Sequence, residues 1–515
     1  MLNWRRFVKA FQPSCNVCEV PLTMHKTFMG VRLKTLREQR GLTQAALAQT
    51  LGLSPSYLNQ IENNQRPLTV PVLLRLQSSL GVDLQFFSED EEARLISELR
   101  EVVAEAGAQE PVSMAEVQAM VGQLPAMAQV LVRLHKRCRN AEERLMLLAD
   151  GIDGDHNPQR SAMPLQPYEE VRDFFYERHN HMAVLDERAE QLFEQLHRDA
   201  NAERASKITD EGAPIAGGDL VALLERHLSK RHGVSTINAR RSGNDAEVVR
   251  AFDPSSRTLS LSADIEPGQR AFQLATQIAR LDAADLIESF ATHESFGSDE
   301  ARALARIGFA SYFAGALLLP YRRFLAEAEA LRYDIDLLSQ HFRVSFETVC
   351  HRLSTMQRPD AKGIPFFFVR VDRAGNISKR QSATDFHFSR TGGTCPLWNV
   401  YQAFAQAGEI LTQLAQMPDG RTYLWIARCI SRRRGGFAAP ARTFAVALGC
   451  DVRHAHRLVY ATGLDLRDPT AATPIGAGCK VCEREDCAQR AFPAIGRELQ
   501  VNENVRQFAP YANAP

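Results

Sequence analysis

The sequence predicts a mainly α protein with α+β parts: an N-terminal helical bundle, a mixed middle domain and a mixed C-terminal domain that carries a cysteine cluster. Three observations lead there. From Val31 to Gly81 apolar residues recur at helical spacing, with Gly, Ser and Pro placed where helices start and stop. Strand-like runs appear only in short segments after Val248. Near the C-terminus, Cys479, Cys482 and Cys487 fall within nine residues.

The 515 residues suit about three domains at roughly 100–200 residues each. Apolar content of 45% and charged content of 24% are those of a globular chain. Lys+Arg and Asp+Glu number 61 each, which excludes a polybasic protein that coats nucleic acid without specificity but leaves room for a local basic surface. No apolar run reaches the roughly 18 residues of a membrane span, so neither a transmembrane helix nor a membrane partner is expected. Residues 1–28 are too polar for a signal peptide and are expected to be a disordered extension, or to precede a natural start at Met24 or Met29.

Residues 29–88 read as a compact helical unit and 89–160 as a helical connector, in which Leu95, Ile96 and Leu99 alternate with charges. Gly151–Pro167 has linker composition. In the middle domain, 161–356, helices are expected at Tyr168–Asp199, Gly217–Gly233, Gln269–Leu281, Ser298–Leu319, Arg322–Ala330, Asp334–Phe342 and Ser345–Met356, with a hairpin formed by Val248–Asp253 and Thr258–Ser262. In the C-terminal domain, 357–500, strands are expected at Pro365–Asp372, Ile377–Ser382, Arg421–Ile430 and Arg442–Leu448, before a tail at 501–515.

Gln44–Asn63 reads as a helix-turn-helix, each constraint of which has a steric cause. Thr43 and Ser54 stand at the two N-caps, with Pro55 in the first turn of the second helix. Ala48 is small where the helices cross, and Gly52 accepts positive φ in the turn. Leu47, Leu51, Leu53, Leu58 and Ile61 supply a buried wedge. The words LTQAALAQTLGLSPSYLNQIENNQRP resemble the lambda-repressor/Cro type. That resemblance implies a helix Ser54–Asn63 laid in the major groove of double-stranded DNA, with Ser54, Ser56, Tyr57 and Gln60 toward base edges and Gln44 and Arg66 on phosphates. It also implies a homodimer or higher homo-oligomer, with heads on inverted half-sites.

Gln269–Leu281 and the later ASYFAGALLLP (Ala310–Pro320) resemble the IrrE/ImmA group of zinc metallopeptidases, whose helix carries H-E-x-x-H. Here those positions hold Thr276, Gln277 and Arg280, and the family's third ligand falls near Ile307. Thr is a poor zinc ligand, Gln cannot act as a base, and Arg stays cationic. A zincin-like scaffold with no catalytic residue, hence no enzyme, is the expectation; a working metallopeptidase regulator is the alternative. The adjacent His293 and Glu294 lack ligand spacing.

Cys479, Cys482 and Cys487 form C-x2-C-x4-C. In a reducing cytoplasm this spacing suits either structural zinc or an iron–sulfur cluster, with Cys395, Cys429, Cys450, His454 and His456 as candidates for a fourth ligand. Taken together, the head, the ligand-less scaffold, GGTCPLWNVYQAF (Gly392–Phe404), MPDGRTYLWIAR (Met417–Arg428) and CKVCEREDCAQRAFP resemble the short-chain fatty acyl transcriptional regulator family over about residues 31–495. The resemblance implies a cytoplasmic, DNA-binding regulator gated by an acyl-CoA effector, and favours an iron–sulfur cluster, of the 4Fe-4S type, over zinc. Trp398, Tyr401, Phe404 and Trp425 are compatible with an apolar effector pocket, and Lys379, Arg380, Arg390 and Arg432–Arg434 with CoA phosphates. A redox sensor independent of acyl-CoA is the remaining alternative.

Overall fold

The computed structural model describes residues 30–63, 65–66, 68–80, 89–106, 112–135, 138, 167–205, 219–239, 248–384, 386, 394–433, 441–479, 482, 484, 487–493, 499–500 and 512–513. Two compact units are distinguished: Met1–Glu92 with Ala119–Pro125, and Ala93–Gln118 with Ala126–Pro515. The expectation for residues 1–28, and the linker at Gly151–Pro167 apart from its last residue, lie outside the described residues.

The first unit is a helical bundle: α1 (Gly30–Gln39), α2 (Gln44–Leu51), α3 (Pro55–Glu62) and α4 (Val70–Leu80). Its core is Leu33, Leu36, Leu47, Ala48, Leu51, Leu58, Ile61, Leu68, Val72 and Leu76. The turn between α2 and α3 closes as the sequence requires. Thr43 accepts from the Ala46 N–H and Ser54 from the Tyr57 N–H, and Gly52 takes a left-handed φ of 62°. Beneath the core, buried Glu62 accepts from Arg37 Nε at 2.7 Å and from Gln44 Nε2 at 3.0 Å. This ties α1, α2 and α3 to one carboxylate.

Helices α5 (Glu89–Ala106), α6 (Met114–Gln123) and α7 (125–135) follow. The second unit then builds α8 (Pro167–Glu177), α9 (Ala183–Ala205) and α10 (Asp219–His232). The single helix expected over Tyr168–Asp199 is two, because His179 and Asn180 take left-handed φ values of 48° and 58° and end α8. Strands β1 (Ser235–Ala239), β2 (Arg250–Asp253) and β3 (Thr258–Ser262) form a three-stranded sheet in the order β1-β3-β2. The β2–β3 hairpin is the expected one; β1, parallel to β3, carries no sequence signal of its own. Helices α11 (Pro267–Asp282), α12 (Ala284–Ala291), α13 (Asp299–Leu318), α14 (Tyr321–Ala330), α15 (Ile335–Phe342) and α16 (Phe346–Leu353) complete this part.

The chain continues into β4 (Phe367–Val371), β5 (Ile377–Ser382), a short α17 (Asn399–Gln402), β6 (Ile410–Gln416), β7 (Thr422–Arg433), β8 (Ala441–Asp451), α18 (Val452–Ala455) and β9 (Thr473–Pro474). The six-stranded sheet runs β5-β4-β8-β7-β6-β9, antiparallel except for the β6–β9 edge. Alternation decides its two faces. Phe368, Leu414, Leu424, Ile426, Val446, Leu448 and Cys450 face the helices and join their core. Phe367, Val369, Tyr423, Trp425, Ala427, Cys429 and Ala447 face the other way, under Phe386 and Trp398. One hydrophobic core therefore spans the segments 161–356 and 357–500.

Within that core lies a buried polar knot. Arg352 Nη2 on α16 meets Asp186 Oδ1 on α9 at 2.6 Å, and Tyr312 on α13 donates to Asp186 Oδ2 at 2.9 Å. His181 Nδ1 approaches the same carboxylate at 3.3 Å. Burial pushes the Asp186 carboxyl up, but the Arg352 charge and the His181 and Arg352 hydrogen bonds outweigh it and hold the group at about 2. Removing one partner of such a pair strands the other charge, so Asp186→Asn is expected to cost about 3–5 kcal/mol in urea unfolding at neutral pH. A carboxyl held below its unfolded value stabilises the fold above about pH 4, and this contribution is lost as the pH falls toward 2. The mutant's deficit is expected to shrink over that window, which a pH series of unfolding midpoints measures.

Candidate DNA-reading face and thiolate cleft

On α3 the residues expected to read bases divide by role. Ser56 is exposed at the start of the helix. Ser54 is exposed as well, but its oxygen is the helix cap, accepting from the Tyr57 N–H at 3.1 Å. Tyr57 is half-buried: its ring packs against the bundle core, and the Arg66 guanidinium lies 5.6 Å from the ring centroid. Gln60 is half-exposed, and its carbonyl accepts from the N–H groups of Gln65 and Arg66, which shapes the turn after α3. Gln44, expected on phosphates, uses its amide internally, donating to Glu62 and to Asn59 Oδ1 at 3.2 Å. Arg66 is exposed at the end of the motif. Ser56, Gln60 and Arg66 thus present side chains outward, while Ser54, Tyr57 and Gln44 also hold the geometry.

The positions of a zincin motif do not form a zinc site. Thr276 is buried and donates back to the Phe272 carbonyl at 2.7 Å. Gln277 is buried, and its Oε1 accepts from Arg250 Nη1 at 2.7 Å. Arg280 is exposed; burial first, and then the Arg280 charge, disfavour the Arg250 cation. Ile307, near the third ligand position, is an exposed apolar residue. A hydroxyl, an amide and a guanidinium in place of two imidazoles and a carboxylate do not fit zinc, and they supply no base for hydrolysis.

The cysteines do converge. Cys479, Cys482 and Cys487 line one cleft with Cys395, together with Arg484 and Arg490. The other proposed fourth ligands are not among the residues that line it: Cys450 is on the opposite sheet face in the helical core, Cys429 is on β7, and His454 sits on α18 with His456 just past its end. Cys395 precedes α17 and is brought in by Trp398, whose ring N–H donates to the Gly476 carbonyl at 3.0 Å, while the Gly476 N–H donates to Cys395 Sγ at 3.4 Å. A side chain at Gly476 would meet Cys482 Sγ at 2.7 Å, so the backbone approaches the sulfurs where only glycine fits. Buried Arg490 donates to the Cys479 carbonyl at 3.4 Å and the Cys482 carbonyl at 3.1 Å, fixing the loop. Burial pushes the Cys395 thiol up to about 11, with Cys482 and Cys479 adding to the shift, and burial also raises Cys482. Four buried or half-buried sulfurs around one cleft are soft donors that could hold a thiophilic metal or cluster. A second cleft beside it is lined by Ser97, Arg100 and Glu101 of α5, by Met417, Pro418, Asp419 and Arg421 of the β6–β7 turn, and again by Cys482.

The expected aromatic pocket is not one. Trp398 and Trp425 are both 0% exposed, 5.2 Å apart, and stand in the core on one sheet face with Phe367 and Phe386. The period-2 pattern of β7 aims Trp425 inward, so neither ring lines an open site. Gly449 makes room for Phe367 beside them: a Cβ there would collide with the Phe367 ring. Tyr401 stacks on Trp398 and hydrogen-bonds Thr394. Arg390 lies outside the described residues. Arg432 is half-exposed and contributes to the field around Glu347, where Arg370 Nη1 sits 2.8 Å and Lys379 Nζ 3.4 Å from Oε1. Three cations surround this one carboxylate, and burial lowers the pKa of Lys379 despite it. No sequence signal marks Arg370, because its partner Glu347 is distant in the chain.

Comparison with known proteins fits this layout part by part. Residues 33–87 match a model described as "Helix-turn-helix", 229–354 the "IrrE N-terminal-like domain", and 355–511 "Short-chain fatty acyl coenzyme A regulator, C-terminal". The HTH-type transcriptional regulator RamB of Mycobacterium tuberculosis is 50% identical, the match covering 95% of this chain and 99% of that protein. The chain belongs to the short-chain fatty acyl coenzyme A regulator family. The HTH-type transcriptional regulator PrpR of the same organism is 48% identical, over 97% of this chain and 98% of that one. A propionyl-CoA carboxylase regulator of Cereibacter sphaeroides is 40% identical, over 94% and 98%. A solved structure titled "Mycobacterium tuberculosis transcriptional regulator" is similar with a TM-score of 0.61 at 50% identity, covering 67% of this chain and all of that one. These relatives are named as regulators although they share the peptidase-like segment with this chain. Among the described residues no single helix is long and apolar enough to cross a membrane.

Proposed function

We propose that this family member is a cytoplasmic, homodimeric transcriptional regulator that reads a double-stranded operator with α3 and is gated by an acyl-CoA; it is not an enzyme. The observation that carries the reading is the exposed outer face of α3 on a closed bundle, in a chain that aligns nearly end to end with proteins named as regulators. Ser56 and Gln60 face base edges and Arg66 a phosphate. Dimerisation is supported by α7, where Met127 (53% exposed), Val130 (38%), Leu131 (37%) and Leu134 (51%) recur at helical spacing as an exposed apolar stripe, while Ala128 and Val132 of the same helix are buried.

The effector reading rests on the cation cluster rather than on the tryptophans. Arg370, Lys379 and Arg432 leave surplus positive charge around Glu347, which suits the phosphates of CoA. The cluster reading rests on the four-thiol cleft, with Cys395 as fourth ligand. A tetrahedral zinc with bonds of about 2.3 Å needs sulfurs about 3.8 Å apart. An iron–sulfur cluster, in which each thiolate would bind a different iron, would take all four thiols of the cleft and supply redox and structural chemistry to the loop.

Three outcomes test this. In gel-shift titrations on the protein's own promoter and its neighbours, one acyl-CoA of a short-chain panel is expected to change operator affinity at least about fivefold; no change with any of them, and no heat of binding by calorimetry, defeats the gating. Gln60→Ala is expected to weaken specific binding by about 1–3 kcal/mol at fixed salt while leaving binding to random DNA alone. After anaerobic purification, Cys395→Ser is expected to lose the visible charge-transfer absorbance and the iron as fully as Cys482→Ser does, whereas Cys450→Ser retains both; a colourless wild type with one zinc rejects the cluster.

A further inference from the structure

Away from both sites, His227, His232 and Asp282 bring three ligand atoms together within 4.8 Å of one another, the one such trio among the described residues. Asp282 Oδ2 lies 2.7 Å from His227 Nε2 and 3.1 Å from His232 Nε2. We propose that this trio is a divalent transition-metal site of the zinc class, with two imidazoles, one carboxylate oxygen and solvent as ligands.

Local structure assembles it. His227 and His232 are five residues apart on α10, a spacing that does not share a helix face. The helix ends on Gly233, which takes a left-handed φ of 62° and closes the turn through Gly233 N–H to Ser229 O and Val234 N–H to Leu228 O. His232 is thereby carried round the end of the helix toward His227, and Arg257 Nε holds its carbonyl at 2.5 Å. Asp282 is the last residue of α11. Two helix C-termini, each carrying partial negative charge, therefore meet at a carboxylate whose side chain is 1% exposed. A helix C-terminus is an unfavourable place to bury an acid, and a bound cation answers both charges.

The carboxylate is arranged for this. Arg231 Nε forms an ion pair with Oδ1 at 2.8 Å, on the side of the carboxylate away from the imidazoles at Oδ2, and Oδ1 accepts no hydrogen bond. Metal–ligand bonds of about 2.0–2.2 Å place tetrahedral ligands roughly 3.4 Å apart, so the trio needs to open by about half an ångström. Ligation through Nε2 takes each imidazole in the neutral tautomer that carries its proton on Nδ1. The His227 and His232 side chains are 8% and 15% exposed, which leaves a path for solvent as the fourth ligand. The donor set contains no sulfur, which separates this site from the cysteine cleft by ligand chemistry.

The test is a cobalt titration of the full-length protein, followed by zinc competition. One equivalent of Co2+ is expected to give visible d–d bands without thiolate-to-cobalt charge transfer, and zinc to displace it. The His227→Gln/His232→Gln double variant keeps donors to Asp282 but no imidazole. It is expected to lose that equivalent while retaining the far-UV circular dichroism of the wild type and any thiolate-bound cobalt. The site is rejected if the sulfur-free equivalent persists in the double variant, or if the wild type shows none. Should the double variant not fold, the wild-type spectrum and the single variant His232→Gln decide the same question.

Discussion

The second unit depends on one buried carboxylate. Asp186 gathers Arg352, Tyr312 and His181, and so joins α9, α13 and α16 at a depth where bulk solvent cannot stand in for a missing partner. Arg352 extends the knot by donating to the Leu319 carbonyl at 3.0 Å, at the end of α13. Apolar packing alone would tolerate several arrangements of helices this rich in alanine. A buried pair that must be satisfied admits few, and here it fixes the helices on which the six-stranded sheet is laid. Glu62 has the same role in the small bundle, where one acid sets α1, α2 and α3 around the turn.

Much of the fold is legible in the sequence because it is local. The caps Thr43 and Ser54, the turn at Gly52 and the β2–β3 hairpin depend on neighbours in sequence, and the structure places them as expected. What escapes is what the chain decides at long range. The break between α8 and α9 rests on two residues with positive φ that carry no glycine signal. Strand β1 has little apolar content, and becomes a strand only because β3 offers it a parallel edge. Strand β6 contains Thr412, Gln413 and Gln416, and acquires its state from pairing with β7.

The candidate sites divide along the same line. The three cysteines announce themselves by spacing, but only the fold brings Cys395 to them rather than another candidate, through a tryptophan and a glycine 78 residues apart. The tryptophans mislead for a physical reason: an aromatic is equally at home in a pocket and in a core, and only the parity of β7 distinguishes the two. Thr276, Gln277 and Arg280 are informative in sequence alone because each removes a donor outright. The structure adds what Gln277 does where the base would stand: it accepts a hydrogen bond from Arg250 that no spacing rule reveals.

The continuity of the core across residues 356 and 357 bears on how such chains diverge and how they can be cut. A family model ends at 354 and another begins at 355, yet among the described residues the helices and the sheet share one apolar interior. A protease nick or a recombination joint at that border would not separate independent modules; it would bare the apolar underside of β4, β7 and β8. The bundle of α1–α4, which closes its own small core, is the piece that hybrid regulators can trade. The remainder travels as one inheritance.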